Sequence, residues 1–206
     1  MFYRGLTVAL LLLVVYVGIS FYHLRGKLFE VYKTQPEYTI GSPDADLTIV
    51  EFVFYACEAC RAINDPFQAA MKHDGKIRYI PRLVAYEEEH PGQSELVYLT
   101  YAAAKQGKFE QTFNYLIKHD IKLDDFGYQT LAVELNLDLD RLKADMQSED
   151  VKKQLAINEK FFEEWALHSA PAYLIGKKAI FRIRSKDEMP TEENFLEMFE
   201  KGRSFF

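Results

Sequence analysis

The spacing of apolar residues changes several times along the chain, and each change predicts an element. The first is GLTVALLLLVVYVGISFY, Gly5 to Tyr22, a run of 18 residues without a charge. At ~1.5 Å rise per residue such a run makes about 27 Å of helix, close to the ~30 Å hydrocarbon thickness of a bilayer. It predicts one N-terminal transmembrane helix over residues 1–22, with Tyr16, Phe21 and Tyr22 in or near the interfacial belt. A cleaved signal peptide has a shorter apolar region and a small-x-small cleavage site, whereas this run ends in SFYHLRGK with no Ala-x-Ala. Arg4 precedes the run while Arg25 and Lys27 follow it, so charge leaves the orientation open.

Residues 23–39 are polar and read as a juxtamembrane linker, and 40–206 as the folded domain, entered through a turn at Gly41, Pro43 and Asp44. LTIVEFVFY, Leu47 to Tyr55, is almost continuously apolar, as in a strand covered on both faces. Only Glu51 interrupts it. After Cys57 the period becomes helical, with Ala59, Ile63, Phe67 and Ala70 on one face and Pro66 placed to kink the helix. KIRYIPRLVAY, Lys76 to Tyr86, is a second strand, so strand, helix and strand form a right-handed crossover with parallel strands. A helical block fills about 93–168, with Asp138 or Asp140 placed to cap its fourth helix. PAYLIG and KAIFRI then read as a hairpin, and TEENFLEMFEKG as a closing helix with Gly202 past its end.

Composition narrows the function classes. With 49% apolar residues the chain supports a sizeable core, and its net charge of −6 is spread over interleaved acidic and basic residues. No basic block or basic-aromatic stripe suits a phosphate backbone, so nucleic acid is not an expected partner.

The only cysteines are Cys57 and Cys60, at i and i+3. Zinc needs four ligands, and none of the histidines, at 23, 73, 90, 119 and 168, pairs at ligand spacing. Covalent haem needs His after the second cysteine, where Arg61 stands. Inert packing is the bland alternative. Against it, Cys57 falls where a buried strand gives way to a helix, whose first amides and dipole lower a thiol pKa. Cys60 lies one turn on, shielded, within reach of the first sulfur. That is the arrangement thiol–disulfide exchange needs.

Two further residues are candidates. Glu51 lies in an apolar strand six residues before Cys57, where a carboxylate is costly unless paired. Either it turns outward or pairs with a lysine, or it lies beneath the helix and moves a proton to or from Cys60. Pro171 opens a strand; if its peptide bond is cis, Ala170 is left free to pair with an extended substrate segment.

GSPDADLTIVEFVFYACEAC, AAAKQGKFEQTFNYLI and HSAPAYLIGKK, taken in order, resemble the DsbA-like thiol:disulfide oxidoreductases of bacterial envelopes, over roughly Ile40 to Gly202. The resemblance implies an α/β thioredoxin fold with an inserted helical domain. It implies Cys57 as the attacking and attacked sulfur, Cys60 as the resolving one, Glu51 as the buried acid, and Ala170 and cis-Pro171 as the substrate-binding loop. It further implies cysteine-containing exported proteins as substrates, a membrane redox partner, no metal or organic cofactor, lipid contact through residues 5–22, and a periplasmic domain on a bacterial inner membrane. Glu58 and Ala59 stand where strongly oxidising members carry Pro-His, which implies a weaker oxidant and leaves reductase or isomerase activity open. Ala170 stands where Thr or Val is more usual. A redox-independent binding module or chaperone remains the alternative from another class.

Overall fold

The computed structural model describes residues 2–176, 179–182 and 189–204, without the side chains of 2–10, 21, 23–25, 27, 28, 179, 180 and 182. It divides into two compact units, Met1–Lys33 and Thr34–Phe206.

The first unit is helix α1, Phe2–Val31. Residues 23–31, expected as linker, continue this helix through Arg25, Lys27 and Glu30. Half of the expected anchor, residues 1–10 and 21, has side chains outside the described residues. Among the described residues no helix is long and apolar enough to cross a membrane. The transmembrane helix over 1–22 is therefore withdrawn, and with it the lipid contact of residues 5–22 and the single-pass, periplasm-facing placement.

The second unit is built on a sheet whose order is β1 (Ile40–Gly41), β3 (Ile77–Leu83), β2 (Leu47–Val53), β4 (Ala172–Ile175) and β5 (Ala179–Arg182). β2 and β3 are parallel and the other pairs antiparallel, so the expected crossover and hairpin both form. Helix α2, Glu58–Asp74, makes the crossover and runs unbroken through Pro66. It ends at Gly75, where a φ of 72° lets the backbone amide return to the Met71 carbonyl at 2.9 Å.

β1 is too short to announce itself in the sequence. It covers only Arg78 and Tyr79, and among the described residues no strand pairs with the outer side of β3 from Pro81 onward. Proline is tolerated there because no neighbouring strand needs its missing amide. The insert helices α3 (Gln93–Ala104), α4 (Phe109–Leu116), α5 (Asp125–Leu135), α6 (Leu139–Met146) and α7 (Glu149–Glu164) supply what a strand would have. Tyr101 of α3 donates to the Pro81 carbonyl at 3.5 Å, and Asn158 of α7 donates to the Leu83 carbonyl at 2.9 Å. Asp138 caps α6 by accepting from the Arg141 amide at 3.0 Å.

The two sheet faces are covered differently. On one, Phe67 of α2 packs against Tyr79 at 4.9 Å, Tyr173 at 5.3 Å and Phe195 of α8 (Glu192–Ser204) at 5.1 Å between ring centroids. Emptying the Phe67 site to Ala would cost about 3–5 kcal/mol. On the other face Phe52 meets Phe162 of α7 at 5.8 Å. Gly202, expected as a helix stop, lies inside α8, because a Cβ there would meet Ile175 at 2.7 Å. Its role is close approach between helix and sheet.

Candidate active site

The loop after β2 turns back at once, with the Cys57 amide bonded to the Phe54 carbonyl at 3.1 Å, and delivers Cys57 to the N-cap of α2. Gln93 of α3 braces this loop by accepting from the Ala56 amide at 3.1 Å. Cys57 and Cys60 form a disulfide with a Cα–Cα distance of 5.2 Å. The Cys57 sulfur also accepts from the Cys60 amide at 3.0 Å. A thiolate released at Cys57 would keep that donor and the positive end of the helix dipole, both of which favour the charged form. Cys57 is 6% exposed and Cys60 1%, so an incoming group has better access to the first sulfur.

The second wall comes from far along the chain. The Ala170–Pro171 peptide is cis, and the Cys57 sulfur lies 3.5 Å from the Ala170 carbonyl oxygen. A groove of about 780 Å³ runs along this junction, lined among others by Phe54, Glu58, Tyr86, His90, His168 and Met189. Three sequence candidates, Cys57, Cys60 and Ala170–Pro171, are thus brought together.

Glu51 does not turn outward, and among the described residues it pairs with no lysine. It is 3% exposed, and its carboxylate accepts from Tyr173 at 2.8 Å on one oxygen and from Tyr79 on the other. Burial pushes its pKa from 4.5 up to about 7, while the two phenol donors pull it partly back. Burial and the nearby carboxylate hold both phenols well above their usual range, so they remain donors. Tyr79 and Tyr173 both touch Phe67, two turns along the buried face of α2 from Cys60, so this carboxylate lies on the sheet face that α2 covers.

Sequence reading did not single out Tyr79, Tyr173 or Tyr86. The signal for the first two was present: tyrosines in strands otherwise apolar at the positions facing a buried acid. Among the described residues no group of three or more His, Cys, Asp or Glu could hold a metal ion.

A family model described as Thioredoxin matches residues 33–200. The chain belongs to the thioredoxin family. Solved structures agree on the fold of this thioredoxin-family chain. A thioredoxin-like oxidoreductase from Silicibacter pomeroyi DSS-3 superposes with a TM-score of 0.70 at 23% identity, covering 87% of this chain and 98% of that one. The catalytic domain of Proteus mirabilis ScsC gives 0.71 at 16% identity over 87% and 98%. The thiol-disulfide exchange protein alpha-DsbA2 from Wolbachia pipientis gives 0.67 at 15% identity over 88% and 95%. Curated relatives are longer proteins. Na(+)/H(+) antiporter NhaA 1 of Mycobacterium sp. (strain KMS) is 26% identical over 67% of this chain but 23% of its own length. The NhaA of Herminiimonas arsenicoxydans is 26% identical over 79% of this chain and 25% of its own. This thioredoxin-family chain therefore spans about a quarter of the length of those antiporters.

Proposed function

We propose that the chain is a protein thiol:disulfide oxidoreductase working through the Cys57–Cys60 pair. The observation that carries this reading is the disulfide at the N-terminus of α2 with its Cys57 sulfur 3.5 Å from the Ala170 carbonyl of a cis-prolyl peptide. A substrate thiolate attacks the Cys57 sulfur in line with the disulfide. The Cys57–Cys60 bond breaks, its electron pair passes to Cys60, and a substrate–Cys57 disulfide forms. A second substrate thiolate attacks the substrate sulfur and expels the Cys57 thiolate. The substrate has then lost two electrons and two protons, and the pair has gained them. Ala170 and Pro171 hold the substrate backbone beside Cys57, and Glu51, with a pKa of about 7, exchanges a proton with Cys60.

Glu58, next to Cys57 and lining the groove, opposes thiolate charge, so the disulfide is a milder oxidant than one flanked by a basic residue. The same steps run backwards make a reductase or isomerase, and the reduction potential against glutathione separates the directions. Antiport is not carried over from the curated relatives, three quarters of whose length has no counterpart in the matched region.

The test is stoichiometric. The oxidised protein is mixed with a reduced two-cysteine peptide, and thiols on each are counted with time. The reading expects the peptide to lose two thiols as the protein gains two. A peptide left reduced for hours beside an intact Cys57–Cys60 disulfide, together with a reduced protein that leaves the oxidised peptide intact, would overturn it.

A further inference from the structure

The groove at the disulfide does not end at Tyr86. A second cavity of about 630 Å³ shares Tyr86, Glu89 and His168 with it, so the two are continuous along one surface. The floor is aromatic and apolar: Phe54 lies 4.8 Å from Tyr86, and Tyr86 lies 5.3 Å from Phe162, between ring centroids. The rim has one sign of charge. Glu87, Glu88, Glu89, Glu159 and Glu163 line the second cavity, and among the described residues neither cavity is lined by Lys or Arg.

About half of the acids described elsewhere have a cation at hand. Asp120 has Arg61, Asp150 has Lys105, Asp125 has Lys143 and Asp74 has Arg203. Among the described residues, Glu88, Glu89, Glu159 and Glu163 enter no ion pair. Glu87 is engaged differently, accepting from the Gly92 and Ser94 amides at 2.7 Å each, and it keeps its charge. Partial burial, with the repulsion of Glu163 and Glu87, holds Glu159 above the usual carboxylate range, against a backbone hydrogen bond from Ala85 that pulls it partly back. A cation entering this cavity would meet several carboxylates already crowded against one another.

We infer that the active-site groove continues into a subsite for a cationic segment of the substrate protein, one with Lys or Arg beside an apolar residue a few positions from the reacting cysteine. The apolar part lies on Phe54, Tyr86 and Phe162, and the cationic heads meet Glu159 and Glu163 from α7 and Glu88 and Glu89 from the loop after β3. The inference rests on the exchange reading for what the groove is for, and its test separates the two.

Three cysteine peptides, identical except for two flanking lysines, serines or glutamates, are reacted with the oxidised full chain at low and at high salt. The lysine peptide is expected to react about tenfold faster than the glutamate peptide at low salt, with most of the difference gone at high salt. The Glu159→Gln, Glu163→Gln double variant should slow the lysine peptide about threefold and leave the serine peptide unchanged. Equal rates for the three peptides, or a lysine preference that the double variant retains in full, overturn the subsite. The same peptides with Ser in place of Cys, titrated by fluorescence anisotropy, read the groove without the chemistry. Tighter binding of the lysine form, weakened in the double variant, supports the subsite even where no peptide exchanges thiols, an outcome that sinks the exchange reading alone. Equal binding of the three overturns the subsite.

Discussion

Two ionisable side chains are buried on neighbouring strands of this sheet, and the molecule treats them in opposite ways. Arg82 of β3, 1% exposed, donates to Asn158 at 3.1 Å and lies 5.4 Å from the centre of the Phe161 ring. Glu51 of β2, 3% exposed, lies against α2 between two phenols. Burial pulls the Arg82 pKa down, but guanidinium starts so high that it stays charged at any physiological pH. Burial pushes Glu51 to about 7, so it changes charge near neutral pH. A buried group that cannot titrate holds structure together; one that titrates near neutrality can move protons. The Arg82 network joins the insert to the sheet, whereas Glu51 lies on the sheet face covered by α2, the helix that carries Cys60.

The sharpest break between the two regions comes from paired substitutions. Cys57→Ala should lower the exchange rate by at least about a thousandfold while the chain stays folded, as expected when a covalent step is lost. Asn158→Ala should do the reverse. It removes one partner each of Arg82, Gln154 and Tyr101 and a donor to the Leu83 carbonyl. It should lower stability by about 3 kcal/mol with the exchange rate of folded molecules little changed, read from urea midpoints and single-turnover kinetics.

Glu51→Gln tests the titrating side through pH. The folded pKa of about 7 lies above the unfolded 4.5, so between these values the folded state holds the extra proton. The contribution of Glu51 to stability is fully present below the unfolded value and is lost as pH rises through the folded one. Relative to wild type, the glutamine variant should gain on the order of 2 kcal/mol between pH 4 and pH 8. Urea titrations at both pH values check it, and parallel curves for the two proteins would contradict the assignment. The smallest effect is expected from Tyr173→Phe, about 1 kcal/mol in stability, with the Glu51 titration moved further up because one donor to its charged form is gone.

What the sequence made legible was local. The strand before Cys57, the helix after it and the Asp138 cap depend on residues a few positions apart, and their periodicity and capping chemistry carry the signal. β1 was missed because two residues have no period, and its pairing lies with Arg78 and Tyr79 further along the chain. The partners of Glu51 were missed because one is 28 and the other 122 residues away, a relation that sheet register creates and spacing does not. The continuity of the groove has the same origin: Tyr86, Glu159 and His168 meet only after α7 has packed. The anchor over 1–22 was read from an uncharged run, but the helix continues through the charged residues after it, and no described helix meets the length and apolarity that crossing a membrane requires.

The central claim is that Cys57 is the sulfur that exchanges with substrate and Cys60 the one that resolves. A Cys60→Ala variant, reduced and mixed with a disulfide-linked substrate peptide, is the most direct measurement, with peptide adducts located by mass spectrometry after acid quench. The account predicts a stable mixed disulfide on Cys57, and little or none on Cys60 in the matching Cys57→Ala variant, because Cys60 is 1% exposed. Absence of an adduct on Cys57, or equal trapping at Cys60, would contradict it.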